Sequence, residues 1–237
     1  MSTASAHSDE HVICCDQTAL DSALAARYPH IALSGSGRFS LSLLSNATYP
    51  LIEVRDEVRF SLGLAEAATV KLAIFDHAAV NLRLSDASRA EIDVRAAATL
   101  EVSAAGGTDL MVRAHDRSEL NARLSGEARG YCYYLDRSRG ALAARDSSHV
   151  TLRGWDNATV GLIAEDAARA YVNAGGNTRV NIRARASGLA RKSVHVERYG
   201  HAVIDVRAGA RRISIEGRLT RAPCRTRADD ARATAER

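Results

Sequence analysis

The sequence predicts an all-β chain, a parallel β-solenoid (β-helix) of two sheets with about twenty residues per coil and a short capping helix at its N-terminus. Three observations carry that expectation. First, residues 51 to 190, written in blocks of ten, repeat fourteen times without an insertion, and the second residue of every block from Ile52 to Ile182 is apolar. Second, positions ten, two and four alternate apolar with variable residues, which is the period of a strand with one buried face. A helical repeat does not fit, because inward positions two apart would fall on opposite sides of a helix. Third, position six is Asp at 56, 76, 86, 116, 136, 146, 156 and 166 and otherwise Glu66, Gly or Ala, while position eight is mostly Ala, Ser or Thr. These are corner residues: Asp and Gly tolerate unusual backbone angles, Asp can cap its own backbone, and only a small side chain fits a tight bend.

Two blocks rather than three close a coil, because sorting the outward positions by alternate blocks collects the aromatic residues. Phe75, Tyr131, Tyr133, Trp155 and Tyr171 then share one outer face with Met111, His115, Leu135 and His195. The opposite face carries a column of mostly small or polar residues, Ser61, Asn81, Glu101, Asn121, Ala141, Gly161 and Asn181. Sorting by threes scatters the aromatics. At a strand spacing of about 4.8 Å, fourteen blocks make an array about 34 Å long.

In chain order, residues 1 to 30 form a polar N-terminus and a capping helix. Residues 1 to 11 are polar and expected to be mobile. Leu20, Leu24 and Tyr28 are spaced four apart between Asp16 or Thr18, either of which can cap the helix N-terminus, and Pro29, which stops the helix. That helix is expected to cover the open end of the solenoid, where strand edges would otherwise be exposed. Residues 31 to 216 form the solenoid. Ile31 and Leu33, then Phe39, Leu41 and Leu43, begin its strands around a turn at Gly35 and Gly37; after Ile182 the strands resume, slightly out of frame, at Val194, Ile204 and Ile213. Residues 217 to 237 are rich in Arg and Ala, lack alternation and are expected to be a disordered tail.

The net charge of +4 is too small to mark a nucleic-acid footprint by itself. There is no apolar leader and no run long enough to span a membrane, so a soluble cytoplasmic protein is expected. Cys14, Cys15, Cys132 and Cys224 have no paired-motif spacing, and Cys132 occupies an inward position. Neither a disulfide framework nor a bound metal or other cofactor is expected. The stacked Asp corners lack the Gly-Gly-x-Gly-x-Asp pattern of calcium-binding rolls.

The repeats Asp-Ser-Ser-His-Val at 146 to 150 and Asp-Asn-Ala-Thr-Val at 156 to 160 resemble the D-x-A-x-V-type decapeptides of parallel β-solenoid proteins, such as ice-nucleation and phage repeats. The resemblance covers about 40 to 215 and implies a fold but no active site. The period of ten differs from pentapeptide and hexapeptide repeats.

The aromatic face is the candidate site. Arg113, His115, Tyr131, Tyr133, Arg153, Trp155 and Tyr171 fall in one patch on adjacent rungs, and clustered Trp, Tyr and Arg are what interface cores are made of. The first expectation is a non-catalytic scaffold that binds a protein partner or a second copy of itself. An alternative places a carbohydrate-active enzyme or binder of acidic polysaccharide on the same face, with His115 and Tyr133 exchanging protons while Arg113 and Arg153 hold an acidic sugar on a Trp155 platform. A second alternative is nucleic-acid binding by a basic rod. Triad, P-loop and dinucleotide fingerprints are absent.

Overall fold

The structure, a computed structural model, describes residues 11–43, 47–185, 193–208 and 214–215. Two parallel sheets face each other. The first has eleven strands in the order β1 (His11–Cys14), β2 (His30–Leu33), β4 (Thr48–Val54), β6 (Thr69–Ile74), β8 (Arg89–Val94), β10 (Asp109–Ala114), β12 (Arg129–Tyr134), β14 (His149–Gly154), β16 (Arg169–Ala174), β18 (Ser193–Arg198) and β20 (Ser214–Ile215). The second has nine: β3 (Arg38–Leu43), β5 (Arg59–Leu64), β7 (Ala79–Leu84), β9 (Thr99–Ala104), β11 (Glu119–Leu124), β13 (Arg139–Ala144), β15 (Thr159–Glu165), β17 (Arg179–Arg185) and β19 (Val203–Ala208). The chain alternates between the sheets, so each residue of a regular strand pairs with the one twenty positions on, as Met111 does with Tyr131. The two-sheet coil of about twenty residues is therefore the architecture, and eleven strands at about 4.8 Å make a rod roughly 48 Å long.

The strands begin at position nine, one residue before the alternation predicts. Positions ten, two and four point inward and are buried along almost the whole array; the inward side chains are aliphatic, Ala or an occasional Cys or aromatic. Position eight also points inward: Val58, Ala68, Ala78, Ala98 and Ala158 are fully buried, as are Ser88, Thr108, Ser118, Ser138, Ser148 and Thr178. The small residue at eight is thus dictated by the width of the bend. The hydroxyls of those Ser and Thr residues find no partner, which makes each a cost that its Ala counterparts avoid.

Every position six from Asp56 to Gly176 is left-handed, with φ between 56° and 75°. The expectation that Asp caps its own backbone is corrected here. The corner N–H groups account for themselves coil by coil. Those at five, seven and nine donate to carbonyls of the coil before, as Leu135 does to Ala114, Arg137 to Asp116 and Arg139 to Ser118. The one at eight closes the turn onto five, as Ser138 does onto Leu135. Only the N–H at six is left, and at the corners named next, where the following coil carries Asp at six, its carboxylate accepts that N–H. Ala96 N–H donates to Asp116 at 2.9 Å, Asp116 N–H to Asp136 at 3.1 Å and Gly126 N–H to Asp146 at 2.9 Å. The series begins at Gly35, whose N–H donates to Asp56 at 2.8 Å. A backbone donor of the preceding coil thus faces each of the carboxylates of Asp56, Asp76, Asp86, Asp116, Asp136 and Asp146.

The N-terminal end differs from expectation in two ways. His11 belongs to β1 rather than to a mobile segment, and β1 pairs with β2 to finish the first sheet; residues 1–10 lie outside the described residues. The helix α1 (Gln17–Ala25) is shorter than predicted, because Arg27 turns left-handed at φ 59° before Pro29 is reached, and Tyr28 N–H closes onto Ala23 C=O. Asp16 caps it, accepting from Ala19 N–H at 2.8 Å. The helix lies at the end of the second sheet, against β3, and also packs on β1 and β2 of the first. The Gln17 side-chain amide imitates a strand, donating to Ser40 C=O at 3.0 Å and accepting from Ser40 N–H at 2.9 Å, while Leu20 and Ala23 are buried.

One aromatic breaks the aliphatic core. Tyr134 is fully buried, which pushes its phenol well above the ordinary range, and its hydroxyl crosses to the second sheet to donate to Leu120 C=O at 2.9 Å. Opposite lies Gly140, where a Cβ would sit 1.7 Å from that same oxygen. Ala141 N–H, which the ladder register sets against Leu120, donates to the Asn121 side chain at 3.0 Å. The ladder thus admits a tyrosine by recruiting a side chain on each strand. At the other end, strands β18 to β20 resume the array as the sequence predicts, and the segment expected to be a disordered tail lies outside the described residues.

Two adjacent residues test which way the strands face. Leu152 is fully buried and Arg153 is exposed on β14. Leu152→Asp is expected to cost well above the ~1 kcal/mol of a typical substitution, because it places an unpaired charge between the sheets. Arg153→Ala is expected to cost less than about 1 kcal/mol. Thermal unfolding of the two variants reads the difference, and equal losses would mean the faces are reversed.

Candidate interaction face

The outer face of the first sheet carries three parallel columns. In the outer strand column Met111, Tyr131, Thr151, Tyr171 and His195 pair in register; in the next, Arg113, Tyr133, Arg153, Asn173 and Glu197 do. Position five adds a corner column with His115, Leu135, Trp155, Gly175 and Tyr199. All seven predicted site residues lie on this side of the rod. His115 and Trp155 stand one residue beyond their strands, at the edge where the sheet turns.

The ladder brings some of them together and leaves others apart. Arg153 stacks its guanidinium over the Tyr133 ring at 5.6 Å. Arg113 is held by acidic partners: it donates to Glu91 at 3.0 Å and lies 3.7 Å from Asp93, so the hydrogen bond to Glu91 raises its pKa despite partial burial. His115 Nδ1 faces Asp136 at 3.8 Å, and no hydrogen bond joins it to Tyr133 among the described residues. The acid–base pair that the enzyme alternative needs is therefore not assembled by direct contact. Tyr131 stands clear, 45% exposed, beside a shallow groove of about 420 Å³ that runs past Lys71, Glu91 and Met111.

Three coils at the C-terminal end build the most ordered part of the face. Tyr171 stacks on His195, with centroids 5.1 Å apart and planes within 10°. Trp155 and Tyr199 sit two coils apart, yet their rings approach to 6.2 Å at 19°. They close over Gly175, where a Cβ would lie 2.2 Å from the indole; the coil between them must lack a side chain. Glu197 ties both pairs together. Its carboxylate accepts from the Tyr171 hydroxyl, from Asn173 Nδ2 at 3.2 Å and from the Tyr199 hydroxyl at 3.1 Å, and His195 Nε2 lies 3.5 Å away. The hydrogen bond from Tyr171 is the main reason that the Glu197 carboxyl sits below its ordinary 4.5, and the same bond raises the Tyr171 phenol.

Sequence reasoning missed Glu197 and Tyr199. They fall outside the strict blocks of ten, because β16 pairs with β18 at a spacing of twenty-four rather than twenty. The usable signal was the return of alternation at Val194 and Val196: aligning those two with Ala170 and Val172 would have put Glu197 beside Asn173.

The network gives a pH dependence. A depressed carboxyl pKa means that folding favours the ionised form, so the contacts are intact above 4.5 and are lost as the pH falls through the lower folded value. The chain has one Trp, at 155, beside Tyr199. Its emission is expected to be constant down to 4.5 and to shift below it, whereas Glu197→Gln shows the shifted emission already at neutral pH. Identical profiles for the two proteins would mean that Glu197 does not hold the aromatic platform.

Among the described residues no helix is long and apolar enough to cross a membrane. Compared with known proteins, the chain matches no family model, no curated protein and no solved structure.

Proposed function

We propose that the chain is a non-catalytic cytoplasmic scaffold that engages protein through the outer face of its first sheet, in the simplest case a second copy of itself. The observation that carries this reading is the exposure of Tyr131, Trp155 and Tyr199, at 45%, 39% and 45%, along one side of the rod, where the Trp155 and Tyr199 rings are already held against each other. A free protein exposes apolar rings at the expense of contact with water, and rings held by stacking and hydrogen bonds lose little further entropy on binding. The stacked pairs Tyr171–His195 and Trp155–Tyr199 supply that order before any partner arrives. Arginine on the same face adds the planar donor that pairs with aromatic rings across interfaces.

The shape supports the same conclusion. Among the described residues the regular corners are of four residues and wall no deep pocket on this face, and a rod presents side chains at fixed spacing over a broad area. Two copies related by a twofold axis through the Trp155 region would set each aromatic platform against its own image, the arrangement that an isologous dimer requires.

Light scattering over a concentration series tests this. The parent chain is expected to self-associate, and Tyr131→Ala with Trp155→Ala to remain a monomer at concentrations at least about tenfold higher while keeping its thermal midpoint. A parent that is monomeric throughout and retains no protein partner contradicts the scaffold reading.

A further inference from the structure

The second sheet turns a different chemistry outward, and we infer that its face binds a linear anionic polysaccharide lying along the rod. Positions nine, one and three of strands β3 to β19 form this face. Among the described residues they carry eight arginines against three acidic residues and no aromatic side chain. The net charge of the whole chain is +4, so the excess of five positive charges on this one face is larger than that of the entire molecule.

The arginines are free as well as numerous. Arg139 pairs with Glu119 and Arg207 with Asp205. Arg38, Arg59, Arg83, Arg123, Arg179 and Arg183 are exposed and have no carboxylate within ion-pair distance among the described residues. On the opposite face carboxylates meet three of the basic residues, Lys71 and Arg113 at Glu91 and Arg89 at Asp109, while Arg129 and Arg169 have no ion-pair partner among the described residues. A column of unpaired guanidiniums costs self-repulsion that a bound polyanion removes.

Their placement selects the shape of the ligand. Arg59 and Arg179 stand at position nine, Arg83, Arg123 and Arg183 at position three. The two columns are four residues apart on a strand, about 13 Å, and Arg59 and Arg183 are six coils apart, about 29 Å. Between them runs the position-one column, floored mostly by small or amide residues, including Ser61, Asn81, Gly161 and Asn181, with the carboxylate of Glu101 between Asn81 and Asn121. Guanidiniums can lean into it from both sides and take carboxylate or sulfate groups bidentately. An extended polysaccharide is a thin ribbon that carries its anionic groups to both edges and offers hydroxyls to Ser61, Asn81 and Asn181. A nucleic acid fits less well: the face has no ring on which an unpaired base could stack, and a duplex meets a straight row only where its strands cross it.

The test uses the full chain and a fluorescent heparin oligosaccharide long enough to span the position-one column, followed by anisotropy at several salt concentrations. The parent is expected to bind. Arg83→Gln, Arg123→Gln, Arg179→Gln and Arg183→Gln combined are expected to weaken binding by about tenfold or more and to flatten its salt dependence, with an unchanged thermal midpoint. The pair Arg83→Gln, Arg183→Gln is expected to fall between, which keeps the test valid should the fourfold variant unfold. Arg89→Gln, Arg129→Gln and Arg169→Gln on the first sheet are expected to stay within about twofold of the parent. The proposal is overturned if the parent does not bind, if the second-sheet variants bind as the parent does, if both sets weaken binding equally, or if a DNA duplex of equal charge binds more tightly than the oligosaccharide.

Discussion

The fold depends on what happens at position six of each corner. The backbone must turn left-handed there to bring the chain from one sheet to the other in four residues, and that turn strands one N–H outside the ladder. Gly meets the conformational demand alone; Asp meets both, because it tolerates the angle and its carboxylate reaches the stranded donor of the coil before. Ala96 shows the separation of the two roles. It adopts φ 59° at the expense of strain, and its N–H is still satisfied, because the acceptor comes from Asp116 of the next coil. Neighbouring coils are thereby locked at their corners as well as along their strands.

Much of this was legible, since a period of ten with apolar ten, two and four leaves few ways to fold. The two-sheet closure followed from where the aromatics fall, and Cys132 sits buried as its position implies. What stayed hidden has a common cause: it involves a neighbour in the stack. The partner of an Asp corner lies twenty residues back, so a single block suggests self-capping instead. Arg59, Arg83, Arg123 and Arg179 look scattered along the chain and converge only when alternate strands are laid side by side. Glu197 was obscured by the four extra residues before β18. β1 was missed because four residues, mostly polar or exposed, carry almost no periodic signal.

The two faces divide labour through the same geometry. A flat ladder repeats each column at about 4.8 Å, so a run of similar side chains becomes a continuous surface. On the first sheet the columns carry rings and balanced charges; Tyr171 stacks on His195 of the adjacent coil, and Trp155 on Tyr199 two coils away, while Trp155 and Tyr199 keep an exposed side. On the second, a central column of mostly small or amide residues lies between arginines that outnumber the acidic residues of the face. Gly175 and Gly140 mark where each sheet yields to a large side chain, Trp155 on the surface and Tyr134 in the core.

Amide hydrogen exchange at the corner donors tests the locking of coils most directly. In the parent the N–H groups of Asp116 and Gly126, bound by Asp136 and Asp146 on opposite corners, are both expected to be protected. Asp136→Gly keeps the left-handed turn and removes the acceptor, together with the carboxylate that faces His115, so Asp116 N–H should lose its protection while Gly126 N–H keeps it. Rapid exchange of Asp116 N–H in the parent, or unchanged protection in the variant, would contradict the claim that carboxylates of one coil hold the corners of the coil before.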